Sequence, residues 1–200
     1  FLPAGAASPP SFYHKTKLVP LFERMPFVQY LGFLGKYALE LGGYTGTYSN
    51  RQQSSTFAVP GASTAILPIL CYESIFGPYC SRNLPEEKGF ICMLTNDGWW
   101  KNTPGYRHHF NFSPVRAIEN RRDFVRAANN GISALINAKG QVIARTPWWK
   151  KTTLKGKLHL RRGRTFFARH GDYLGRISLV FGGFLMLCAG IRKVRVTLDI

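Results

Sequence analysis

Short apolar runs separated by polar turn residues dominate the middle of this chain, and one long apolar run lies near its end. Thr64 to Leu70 has the length and composition of a buried strand, with Pro68 predicting a sheet edge or a bulge within it. Phe90 to Leu94 predicts a second strand, which Thr95-Asn96-Asp97-Gly98 ends as turn residues ahead of Trp99 and Trp100. Ser113-Pro114 predicts a helix start, Ser as N-cap and Pro in the first turn, with Val115, Ile118 and Arg122 continuing at helical spacing. Three further strands follow, Phe124 to Ala128, Ile132 to Asn137 and Gln141 to Arg145, separated by Asn129-Asn130-Gly131 and Ala138-Lys139-Gly140 turns. Strands on both sides of helical segments predict an α/β domain. Phe1 to Pro10 reads as irregular and leads into a short segment, Ser11 to Val19, that Pro20 ends. Gly42 to Ser55, rich in Gly and Tyr, suits a mobile surface loop or lid.

Tyr173 to Ile191 carries a single charge, Arg176. At ~1.5 Å per residue such a helix is about 28 Å long, close to the ~30 Å of a bilayer's hydrocarbon core. A membrane span is the expectation; a buried core helix is the competing reading, because the uninterrupted part begins only at Ile177. Arg192, Lys193 and Arg195 follow the span, but Lys155, Lys157, Arg161, Arg162, Arg164 and Arg169 precede it, so charge assigns no topology.

Composition changes this picture little. The 200 residues are 45% hydrophobic and 14% aromatic, enough for one sizeable core. The 27 basic residues against 10 acidic ones give +17, which favours phosphate-bearing partners, either nucleic acid or anionic lipid. The densest basic stretch, Lys150 to Arg169, also fits a plain solvated surface. Cysteines at 71, 80, 92 and 188 show neither CxxC nor zinc spacing, so no structural metal is expected. The first residues, Phe-Leu-Pro-Ala-Gly, lack the pattern of a signal peptide and an initiating Met, and read as a cut.

The candidate chemistry centres on Cys71-Tyr72-Glu73, directly after a strand, where a nucleophile can be held rigidly at a cleft. A buried structural cysteine is the alternative. A thiol needs a base or a positive field to react as thiolate, and a Lys beside a carboxylate supplies one. Tyr13-His14-Lys15-Thr16-Lys17-Leu18-Val19-Pro20 with Glu23 provides such a pair.

In order and spacing, that segment, then Cys71-Tyr72-Glu73, Asn96-Asp97-Gly98-Trp99-Trp100, His109 ahead of Arg116-Ala117-Ile118-Glu119, and Asn129-Asn130-Gly131-Ile132-Ser133 resemble the bacterial apolipoprotein N-acyltransferases of the carbon–nitrogen hydrolase superfamily. The resemblance covers nearly the whole chain. It implies a nitrilase-like αββα sandwich, N-terminally truncated, over residues 1–170, one transmembrane helix at 173–191 and a basic tail at 192–200. It further implies a monomer in the bacterial inner membrane, with the catalytic domain on the periplasmic side and earlier membrane helices before Phe1. The implied reaction is ping-pong: the Cys71 thiolate takes an acyl chain from a phospholipid as a thioester and passes it to the amino group of an apolipoprotein's diacylglyceryl-cysteine. Lys15 would stabilise thiolate and oxyanion, Glu23 would support Lys15, and Tyr72, Glu73, Asn96, Asp97 and Trp99 would shape the substrate pocket. No cofactor, metal or nucleic acid is implied.

The resemblance has one departure. The family's general base is a Glu ahead of the Lys, whereas Glu23 is the first acidic residue here, so residues 1 to 200 alone are expected to be inactive. A soluble nitrilase or amidase with the same Cys and Lys remains an alternative, as does a basic nucleic-acid-binding module, although no binding motif accompanies the charge. His108 and His109 resemble a metal pair but, being adjacent, would point to different sides of a helix, and a structural role is expected for them. Trp148-Trp149 before Lys150-Lys151 suits either a membrane-interface anchor or core packing. Cys80 and Cys92 could pair, and Cys188 falls within the apolar span.

Overall fold

The computed structural model describes residues 12–20, 23, 56–59 and 61–197. The proposed lid at 42–55 and the irregular start at 1–10 lie outside these residues. Among the described residues, six strands form one mixed sheet in chain order. They are β1 (Phe57–Ala58), β2 (Ala65–Leu70), β3 (Gly89–Thr95), β4 (Phe124–Ala128), β5 (Ala134–Ile136) and β6 (Val142–Arg145). β2, β3 and β4 run parallel, and β1, β5 and β6 are antiparallel to their neighbours. Every strand expected from the apolar runs is present.

Parallel neighbours require crossovers, and the two here carry the helices. From β2 to β3 the chain passes through a 3-10 turn, Cys71–Ile75, and helix α1, Gly77–Arg82. From β3 to β4 it passes through a second 3-10 turn, Asp97–Trp100, and helix α2, Gly105–Asn120. Both crossovers cover the same face. Leu67, Ile69, Ile91, Met93, Phe124, Ala134 and Ile136 pack there against Cys80, Leu84, Phe110 and Ala117. On the opposite face Phe90 and Cys92 are only partly buried and Leu94 is half-exposed, the face a partner sheet in an αββα sandwich would cover. The mixed α/β architecture expected from the sequence is borne out.

Pro68 sits where its missing N–H does least harm. β1 pairs only with Ala65 and Ile66, so beyond that point the outer side of β2 has no strand partner among the described residues. The expected helix start at Ser113-Pro114 is corrected: α2 begins two turns earlier, and Pro114 lies inside it. The local cap signal was overridden because Tyr106, His109 and Phe110 are buried, which holds the preceding two turns in helix. Arg122 is not part of α2 either. Arg121 ends the helix in the left-handed region (φ 48°), and the Arg122 guanidinium instead donates to the carbonyls of Pro85, Glu87 and Gly163.

After β6 the basic stretch runs without regular structure over the domain, pinned by Arg161 O accepting from Gly89 N–H at 2.9 Å. Helix α3, Phe166–His170, is N-capped by Thr165 and packs on α1. Helix α4, Tyr173–Thr197, follows, and no part of its apolar stretch, Tyr173–Arg192, is buried. By length and composition it is able to cross a membrane.

Candidate active site

Cys71 stands at the C-terminal end of β2 with φ of 47°, a left-handed conformation that costs a non-glycine residue about 1 kcal/mol. Such strain persists only where the surroundings fix it, and it is a recurrent mark of functional turns. Here the fixing group is Glu73, which is fully buried. Its Oε2 accepts from Leu70 N–H at 2.8 Å and from the Tyr13 hydroxyl at 2.7 Å. Its Oε1 accepts from Thr16 N–H at 2.6 Å, the Thr16 hydroxyl at 3.1 Å and the Tyr79 hydroxyl at 3.3 Å. One carboxylate thus ties residues 13–16 to the cysteine turn across about sixty positions of sequence. Burial, with the Glu73 charge beside it, raises the Tyr13 hydroxyl above its ordinary range and keeps it a donor.

That tie carries Lys15 with it. The Lys15 ammonium donates to both oxygens of Glu23, at 2.6 and 2.7 Å, and Val19 N–H donates to Glu23 Oε2 at 2.8 Å. Glu23 then lines an apolar cavity of about 180 Å³ together with Cys71, Tyr72, Ile75, Asn96, Trp99, Trp100, His109 and Val19.

The second loop comes from β3. Asn96 caps the Asp97–Trp100 turn, its Oδ1 accepting from Gly98 N–H at 3.1 Å and from Asn130 Nδ2 at 3.4 Å. Asp97 points the other way, into the protein. Its Oδ2 accepts from Arg126 at 2.7 Å, and its Oδ1 lies 2.7 Å from His109 Nδ1 and 3.1 Å from the Thr95 hydroxyl. Burial alone would raise the Asp97 carboxyl, but the His109 hydrogen bond and the Arg126 guanidinium outweigh it and hold it below the usual carboxylate range. Gly131 of the Asn129-Asn130-Gly131 turn closes over this carboxylate, and a Cβ there would collide with it.

The structure therefore sorts the expected site residues into two groups. Cys71, Glu23, Tyr72, Asn96 and Trp99 meet at one cavity. Glu73 and Asp97, expected in the pocket wall, are outside it, because buried donors capture both carboxylates. Lys15 reaches the cavity through Glu23 rather than by lining it.

His109 was set aside on sequence as structural, yet it lines the cavity while His108 is exposed. The opposite orientations follow from adjacency on α2. The usable signal was its helical spacing from Tyr106 and Ser113, both buried. Trp148 stacks on Tyr106 with centroids 3.9 Å apart, whereas Trp149 is 57% exposed. Cys80 and Cys92 are free thiols, and burial pushes the Cys80 thiol up to about 12.

The described residues thus place a cysteine at a strand end beside a cavity whose wall holds a lysine-bound glutamate. The carbon–nitrogen hydrolase family profile matches residues 6–166, and the chain belongs to that family. Within it the chain is similar to proteins named apolipoprotein N-acyltransferase. That of Chlorobaculum tepidum is 32% identical over 193 residues, covering 96% of this chain and 36% of the relative. That of Haemophilus influenzae is 31% identical over 183 residues, 90% of this chain and 34% of the relative. That of Bradyrhizobium diazoefficiens is 37% identical over 185 residues, 90% of this chain and 33% of the relative. The chain thus spans about a third of the length of these curated relatives.

Proposed function

We propose that this chain carries the thiol chemistry of an apolipoprotein N-acyltransferase. The carrying observation is Cys71 opening into an apolar cavity with the Lys15–Glu23 pair at its edge. The Cys71 thiolate attacks an ester carbonyl of a phospholipid, and the carbon–oxygen bond breaks, releasing a lysophospholipid alcohol that takes up a proton. The amino group of an apolipoprotein's diacylglyceryl-cysteine then attacks the thioester, forming the amide and releasing the thiolate. An apolar cavity suits the start of an acyl chain and keeps water from the thioester.

In this reading Lys15 stabilises thiolate and oxyanion, and Glu23 orients it. Tyr72, Asn96 and Trp99 shape the pocket from its wall, and Glu73 and Asp97 shape it from behind. The proton acceptor is a carboxylate, which takes the thiol proton, passes it to the leaving alcohol, and in the second step takes the proton that the amine loses. Residues 1–170 form the catalytic part, 173–191 span the bacterial inner membrane and 192–200 form a basic tail, with the catalytic part on the periplasmic side. The exposed apolar surface of α4 supports the membrane assignment.

The test is the intact mass of the full-length gene product after incubation with phospholipid. A gain of one acyl chain is expected, absent in Cys71→Ser and discharged by a diacylglyceryl-cysteine peptide. No adduct under turnover conditions would overturn the proposal, and hydrolysis of small amides in its place would favour a hydrolase.

A further inference from the structure

Beside α1 lies a second cavity that the acyl-transfer scheme does not use. It measures about 470 Å³, and its walls include Lys17, Phe76, Pro78, Tyr79 and Arg82. It shares no lining residue with the thiol cavity. The two are joined only through a ring pair: Tyr72, in the wall of the thiol cavity, meets Phe76 edge-on with centroids 5.3 Å apart.

Two cations face this cavity without a counterion. Lys17 and Arg82 are exposed, and among the described residues neither side chain forms an ion pair. The Lys17 ammonium is 5.6 Å from the Phe76 ring centroid and 5.8 Å from that of Tyr79, which holds it at the cavity without neutralising it. Tyr79 and Arg82 are three apart on α1 and therefore share a face, so the guanidinium stands on the same side. Glu73 is close by, since Thr16 and Tyr79 both donate to it, but it is fully buried and its oxygens are taken by Tyr13, Thr16, Leu70 and Tyr79. A guanidinium fork and an ammonium around one opening, with aromatic rings as the wall, match a phosphate group.

The position of the cavity says which phosphate. Gly171, in the turn before α4, faces Pro78: a Cβ on it would lie 3.9 Å from the Pro78 Cβ. Helix α3, just ahead of that turn, packs on α1. From Pro78 to Arg82 is one turn of α1, ~6 Å, and a headgroup layer is about 5–8 Å thick on each side of a bilayer. The root of α4 also carries aromatic rings suited to that depth, Tyr173 meeting the 61% exposed Phe166 edge-on at 5.0 Å.

We propose that this cavity seats the phosphate of a bilayer lipid headgroup, apart from the lipid whose acyl chain enters the thiol cavity, and so holds the catalytic part down on the membrane. This inference rests on the reading of α4 as a membrane span. Lys17 is two residues from Lys15, on the segment that Glu73 ties to the cysteine turn, so a lipid bound there also steadies the edge of the reaction site.

The test is titration of the full-length protein in detergent micelles with dodecyl phosphate, followed by phosphorus-31 NMR. This probe has the charge and a chain but no carbonyl for Cys71 to attack, so the result does not depend on acyl transfer, and Cys71→Ser should bind it as wild type does. Lys17→Gln combined with Arg82→Gln should bind at least about 10-fold more weakly, for the loss of two charge-assisted contacts to phosphate. Lys17→Arg, which keeps the charge, should retain most of the affinity. Inorganic phosphate, the same anion without a chain, should bind more weakly than dodecyl phosphate. Equal binding of the two would assign a free anion to the cavity and overturn the lipid as its ligand. Wild-type affinity in the doubly neutralised protein would overturn the site itself, and either single variant, read in the same way, decides the matter if the double variant fails to fold. Alkaline carbonate extraction of membranes reads α4 separately: release of the full-length protein into the wash would remove the membrane premise, whatever the cavity binds.

Discussion

The two flanks of Cys71 are built in opposite ways. In front, the Lys15 and Glu23 side chains are 15% and 27% exposed and are tied down through Glu73 and Val19. Behind, Asp97, Arg126 and His109 project from the turn after β3, from β4 and from α2, and their side chains are at most 3% exposed. A partly exposed ion pair contributes little to stability and can rearrange when substrate arrives. A buried set is costly to leave half-made and therefore holds one geometry. Under the proposed acyl transfer, the front suits transient contact with a reacting carbonyl, and the back suits keeping Cys71 in place.

The strongest test of this contrast is Arg126→Met. It removes the guanidinium from Asp97 Oδ2, leaving only His109 and the Thr95 hydroxyl on Oδ1, and about 3–5 kcal/mol of stability should be lost, read as a lowered denaturant midpoint. An unchanged midpoint would show that the back flank is no more structural than the front. Lys15→Met should do the reverse. Thioester formation should fall by roughly 10²-fold while the melting temperature stays put. A large melting shift in that variant would instead make Lys15 a structural residue.

Acid gives the smallest and most graded readout. The Asp97 carboxyl titrates lower in the folded state than in the unfolded chain, so its contribution to stability is complete above the unfolded value of about 3.9 and is lost as pH falls through the depressed folded value. Wild type should therefore lose stability below about pH 4. Asp97→Asn should start less stable and show a flatter acid slope. Equal slopes would remove Asp97 from the account.

Much of the fold was legible in the sequence because buried strands demand continuous apolar runs, and β2 and β3 have them. The start of α2 was not legible. Ser113-Pro114 looks like a cap from its neighbours alone, yet Ser113 is buried mid-helix, donating to Met93 Sδ and accepting from Arg126. The site divided in the same way. Cys71, Glu23, Tyr72, Asn96 and Trp99 were expected at the cavity and line it. Glu73 and Asp97 looked like pocket carboxylates because a sequence shows a charge but not its partners.

By itself, then, the sequence determined where strands β2 to β6 fall, the α/β class, the long apolar stretch that becomes α4 and the ordered motifs that place the chain in its family. These are properties of period, length and residue type along the chain. Only the tertiary structure decided which carboxylate faces the cavity, which anchors the Lys15 segment, and that His109 lines the cavity beside Cys71. Those contacts join residues 12 to 60 positions apart, and their partners are set by how the crossovers pack on the sheet.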